Sequence, residues 1–186
     1  MNRRTIARAA ALTVFTALAT GSALAANDLF QKDSANPRNG FLQATDPIYM
    51  KECGACHFAY SPGLLPARSW ELHLTRLEKH FGESVVLPEP AREGIRRYLT
   101  ENAADRSDYA GSQIFLERLD AKVTPYRLMD VPTYRQAHRI ILEVISIKTK
   151  VKVRTLTNCN ACHQYAPEGS FGNRELFVPG LTPLAR

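Results

Sequence analysis

Two short segments of identical pattern constrain this chain more than anything else in it: Cys53-Gly54-Ala55-Cys56-His57 and Cys159-Asn160-Ala161-Cys162-His163. Together they use all four cysteines. On a helical turn, residues three apart lie close on one face, so the two thiols of each pair can address the same object. The histidine that follows offers a ring nitrogen as a metal ligand. A zinc site, a redox dithiol and covalent haem attachment all use such spacing. A zinc site would want the four thiolates gathered, yet about a hundred residues separate the pairs. A thioredoxin-like dithiol needs a βαβ setting, and neither motif has one. Thioether attachment is the chemistry left. Each thiol adds across one vinyl group of a porphyrin, and the histidine reaches the iron from beneath the plate. The small residues Gly54, Ala55 and Ala161 let the porphyrin edge approach the backbone. The expectation is two covalently bound haem c groups, one on Cys53 and Cys56 with His57 as ligand, the other on Cys159 and Cys162 with His163.

Four cysteines in an exported chain would ordinarily suggest two disulfides, so the address of this chain matters. Residues 1–25 have the layout of a secretory signal peptide. Arg3, Arg4 and Arg8 form a basic start, Ala9 to Ala19 is almost wholly apolar, and Ala23-Leu24-Ala25 supplies small residues for cleavage. The apolar run is short for a span, which wants about 20 residues. Export to the periplasm is expected, with no membrane-spanning segment after cleavage. Removal of residues 1–25 leaves 161 of 186 residues and, by losing three arginines and no acidic residue, lowers the formal charge from +6 to +3. A nucleic-acid partner is not expected from so small an excess.

The expected architecture is mainly α. Residues 26–105 form a class I cytochrome c-like N-terminal haem domain, and residues 106–186 a smaller, irregular C-terminal haem-binding segment. Residues 26–45 read as an extended arm. Asp46-Pro47 starts a helix that runs into the first motif, as an N-cap aspartate followed by proline should. Phe58 to Arg68, with Pro62, Gly63 and Pro66, reads as a loop. Ser69 is the expected cap of a helix from Trp70 to Phe81, closed by Gly82 at its C′ position. A third helix spans roughly 89–101, burying Ile95, Tyr98 and Leu99. A short helix is expected from Ser112 to Leu119 and another from Thr133 to Ile145. Val144 to Val153 alternates apolar and basic residues in a way that fits strand or loop.

Each iron needs a sixth ligand, which decides between electron transfer and ligand chemistry. His73, His80 and His138 remain, along with Met50 and Met129. His73 and His80 are seven apart on one expected helix, about 10 Å along its axis, so both cannot serve the same iron. His80 is assigned to the first haem and His138 to the second, with His73 read as a surface residue but kept as an alternative ligand. Met50 should pack near the haem edge. Met129 is an alternative on either iron, and a crossed pairing of the two distal histidines stays open. Bis-histidine irons carry electrons and have no open site for oxygen or peroxide.

The chain resembles the bacterial dihaem cytochrome c family. The likeness rests on Glu52 to His57, on Pro62-Gly63-Leu64-Leu65-Pro66-Ala67-Arg68-Ser69-Trp70, on His80-Phe81-Gly82-Glu83, on His138, on Asn158 to His163, and on the tail from Ala166 to Pro179. The resemblance implies bis-histidine ligation at both haems, with His80 and His138 matching the sixth ligands. It implies an electron carrier rather than an enzyme, working between a membrane b-type cytochrome and a small oxygen-binding c-type haem protein. Arg68 in the matching loop is expected to pair with a haem propionate, since guanidinium suits carboxylate. Two other functions compete: a ligand-binding haem protein with one five-coordinate iron, and a dihaem electron-transfer subunit of a periplasmic reductase.

Overall fold

A computed structural model describes residues 29–32, 36–139 and 157–178. Expectations for the signal peptide, for 140–145 of the last helix, for the stretch from Val144 to Val153 and for the tail beyond Val178 lie outside those residues. Among the described residues there are five α-helices and seven single turns of 3₁₀ helix, with two isolated β-bridges in place of any strand. The chain is mainly α, as expected.

Helix α1, Pro47–Cys53, begins where the sequence says it should: Asp46 accepts a hydrogen bond from the Tyr49 amide at 2.8 Å, and proline occupies the first helical position. It ends at Cys53, so the rest of the first haem-type motif lies in turns rather than on a helix. Helix α2, Ala67–Leu74, differs from the expected span at both ends. Ser69 is inside it rather than capping it, and its hydroxyl is buried without a hydrogen-bond partner. The reason lies upstream: Pro66 fixes the entry, and the Asp105 carboxylate accepts from the Ala67 amide at 2.8 Å, supplying the capping acceptor from a distant segment. The helix stops at Leu74, a 3₁₀ turn covers Leu77–Lys79, and Phe81 is left exposed rather than on a buried face.

Helix α3, Glu89–Glu101, packs on α2 and α1 through the wholly buried Ile95 and Leu99. Tyr98 is only half-buried, because its hydroxyl reaches out to accept from the Thr45 amide at 3.0 Å. The Trp70 indole N–H donates to the Pro62 carbonyl at 2.8 Å, tying the proline loop to α2. Helix α4, Ala110–Leu116, starts two residues before the expected position and ends three before it. Helix α5 is Pro132–Ala137, with His138 as its C-cap.

The arm is not merely extended. Phe41 sits buried at the centre of an aromatic box, with ring centroids 6.0, 5.7 and 5.2 Å from Phe30, Phe115 and Phe171. The Phe41 amide donates to the Gly169 carbonyl at 2.8 Å, and the Phe171 amide to the Phe30 carbonyl at 2.8 Å. On the other side, the Gly111 amide donates to the Gly40 carbonyl at 2.9 Å. A Cβ on Gly111 would sit 2.2 Å from that carbonyl oxygen, so only glycine lets α4 and the arm approach this closely. The arm thus lies before residue 105 in sequence yet packs with the segment that carries the second motif.

Candidate functional site

Two sites emerge, each built around a pair of imidazoles. In the first, His57 and His80 face each other with ring centroids 6.4 Å apart and planes 25° from parallel. In the second, His138 and His163 have centroids 6.1 Å apart and planes 75° apart. A metal–imidazole bond is about 2 Å. A five-membered aromatic ring with bonds near 1.35 Å holds its nitrogen about 1.2 Å from its centre. Two imidazoles on opposite sides of one iron should therefore have centroids ~6.3 Å apart, and both pairs meet that spacing. By position, His80 is the ring beside His57 and His138 the ring beside His163.

His80 is aimed by a turn, not by a helix. Its amide donates to the Glu83 carbonyl at 2.9 Å and the Glu83 amide donates back at 3.0 Å. Between them Phe81 and Gly82 both have positive φ, 51° and 103°. Two consecutive residues in that region make the tight two-residue turn of a hairpin, which glycine suits and phenylalanine tolerates at a cost. Gly82 therefore shapes this turn instead of closing a helix. His138 is held differently. It stacks on Tyr134, one helical turn earlier, at 4.1 Å and 21°, and its Nδ1 donates to the Tyr134 carbonyl at 2.8 Å.

The Nδ1 partners are opposite in the two sites. In the first, motif residue His57 donates from Nδ1 to the Phe58 carbonyl at 2.8 Å, while His80 Nδ1 is buried without a partner. In the second, His138 has the carbonyl and His163 Nδ1 is buried without one. A carbonyl on Nδ1 fixes the tautomer and leaves Nε2 for a metal. Burial holds His163 down to about 4, with His138 nearby adding to it, and burial lowers His138 too. His80 is likewise lowered by burial, then by His57. Rings kept neutral in this way are ready to ligate.

Cys53 is half-buried, Cys56 exposed, Cys159 buried and Cys162 half-buried, and none is paired in a disulfide. Burial pushes the Cys53 thiol up to about 11 and the Cys159 thiol to about 12. Among the described residues, no three His, Cys, Asp or Glu side chains converge as a metal cluster. Between the second pair of imidazoles lies a cavity of about 250 Å³, walled by apolar groups including Phe41, Leu64, Phe115 and Leu128, with Cys159 and Cys162 on its rim. These apolar walls, the two thiols and the two imidazoles are the groups that would hold a haem here.

His73 is not at the surface, contrary to the sequence reading. It stacks on Tyr126 at 4.5 Å and 23°, lies 5.9 Å from His80, and burial lowers it to about 4. The helix break after Leu74 turns the chain back, bringing Phe81 and Tyr126 over His73. Arg127 lies over the Phe81 ring and Arg76 over Tyr126. Tyr126 gave no signal in the sequence. Tyr134 did: four residues before His138 on one helix face is stacking distance. Met50 is exposed on α1 and Met129 is partly exposed. Arg68 donates from Nε and Nη2 to the Val123 carbonyl at 2.8 and 2.6 Å, clamping the loop over α2.

A family model described as dihaem cytochrome c matches residues 49–171. Among solved structures, the chain is similar to a dihaem cytochrome c from Rhodobacter sphaeroides at 40% identity and TM-score 0.61, covering 70% of this chain and 99% of that one. It is also similar to a dihaem cytochrome c from Shewanella baltica at 27% identity and TM-score 0.59, covering 75% and 97%. Comparison with curated proteins finds no match.

Proposed function

Because this chain belongs to the dihaem cytochrome c family, with two covalently bound haems and haem-based electron transfer as its business, we propose that it is an exported electron carrier whose irons are each closed by two histidines. The observation that carries this reading is the pair of imidazole spacings, 6.4 and 6.1 Å, each fit for one iron. When bound, the haems supply a one-electron couple between ferrous and ferric iron.

The chain's own residues do the rest. Cys53, Cys56, Cys159 and Cys162 would hold the two haems through thioether bonds, and His57 and His163 would each donate a ring nitrogen to an iron. His80 and His138 would supply the second imidazole at each iron, which would leave no position for an exogenous ligand. The turn around Phe81-Gly82 and the Tyr134 stack hold the two distal rings in place before and after the electron passes, which keeps reorganisation small. Arg68 keeps Nη1 for a propionate while its other nitrogens hold the Val123 carbonyl. The periplasm is the working compartment, after removal of residues 1–25. Among the described residues no helix is long and apolar enough to cross a membrane. A membrane b-type cytochrome as donor and a small oxygen-binding c-type haem protein as acceptor suit a carrier with two closed irons.

Carbon monoxide tests the reading. The reduced holoprotein should give a low-spin c-type spectrum that the gas leaves unaltered. A shift at either haem would favour the competing ligand-binding function with one five-coordinate iron.

A further inference from the structure

Tyr60 packs on His57 of the first site and hydrogen-bonds the segment that leads into the second. Its ring centroid is 4.9 Å from that of His57, with planes 37° apart. Its hydroxyl donates to the Thr157 carbonyl at 2.6 Å, across 97 residues of sequence. That same carbonyl lies 3.5 Å from Cys159 Sγ, the first attachment sulfur of the second site. The ring is held from two further directions: Phe58 packs edge-on at 4.7 Å and 70°, and the buried Tyr49 hydroxyl donates to the Tyr60 carbonyl at 2.9 Å.

We propose that Tyr60 is the positioning residue that joins the two haem sites, fixing the second attachment segment against the first site and giving electrons a continuous route from one to the other. The inference rests on reading both sites as haem sites. The route runs from the His57 imidazole across van der Waals contact to the Tyr60 ring, through its hydroxyl to the Thr157 carbonyl, and on to Cys159. One electron leaves the reduced site and enters the oxidised one. No bond forms or breaks and no proton moves.

Two variants of the holoprotein separate the parts of this role. Tyr60→Phe keeps the ring against His57 and removes the link to Thr157. Tyr60→Leu removes both. Loss of one hydrogen bond should raise amide hydrogen exchange in the segment around Cys159–Cys162 roughly fivefold in both. Electron redistribution between the haems, followed after photoreduction, should be slower in Tyr60→Phe and slower again in Tyr60→Leu. A wild-type rate in both variants overturns the proposal, whatever the amides do. The low-temperature paramagnetic spectrum of each variant should keep two low-spin signals. A high-spin signal already present in the wild type would instead overturn the underlying haem-site reading, which is a separate result.

Discussion

Tyr134 stacks on His138 at 4.1 Å and accepts the His138 Nδ1 hydrogen through its own carbonyl at 2.8 Å, so one residue fixes both the plane and the tautomer of the His138 ring. His80 has no such partner on Nδ1 and depends on its turn. Removing the two distal rings should therefore open the two irons independently. Reduced His80→Ala is expected to show carbon monoxide binding at one haem, reduced His138→Ala at the other, and the double variant at both. An unchanged spectrum in either single variant would show that another side chain, such as Met129, closes that iron.

The turn that aims His80 puts Gly82 at φ 103°, in open space where a Cβ meets nothing. The cost of Gly82→Ala is then purely conformational, about 1–2 kcal/mol. A chain of this size should lose a few degrees of Tm for that. Equal melting temperatures for variant and wild-type holoprotein would mean that the turn relaxes without strain.

Trp70→Phe tests the proline loop. The substitution preserves most of the buried ring and leaves the Pro62 carbonyl, at a fully buried proline, without its 2.8 Å donor. An unpaired buried acceptor costs about 1–3 kcal/mol. Denaturant unfolding of the holoprotein should show a lower midpoint with an unchanged slope.

His73 makes stability depend on pH. Burial is the main cause that lowers it from 6.5 to about 4, so the folded protein keeps it neutral where the unfolded chain takes up a proton. Above pH 6.5 both states are neutral and the residue adds no slope. Between pH 6.5 and 4 only the unfolded state gains the proton, so stability is lost as pH falls across that window, by about 2–3 kcal/mol at its end. His73→Phe keeps a flat ring for Tyr126 and should flatten that part of the profile, read as Tm at pH 7 and pH 4.5.

The covalent chemistry was legible in the sequence because it is local: two C-x-x-C-H segments need nothing but themselves. The contacts of His57 with His80 and of His138 with His163 are long-range, so the sequence could offer His80 and His138 only as candidates, with the crossed arrangement left open. Helix α3 follows its apolar periodicity. Helix α2 does not: Asp105, far along the chain, supplies its cap, and the helix ends at Leu74, before the apolar pattern does. His73 was misplaced because its covering ring, Tyr126, comes from far along the chain and only the fold brings it there. The arm looked merely polar because Phe30 and Phe41 are lone aromatics in a polar stretch, and only the folded chain brings Phe115 and Phe171 to them.

Low-temperature paramagnetic resonance of the oxidised holoprotein tests the central claim most directly, since it reports both ligand sets and the angle between ring planes. Nearly parallel imidazoles split the iron's two π-accepting orbitals, while nearly perpendicular ones leave them close in energy. The 25° and 75° angles therefore predict two distinct low-spin signals, one rhombic from the His57–His80 site and one strongly anisotropic from the His138–His163 site. A high-spin signal from either haem, or a methionine-type charge-transfer band in the near infrared, would contradict the account.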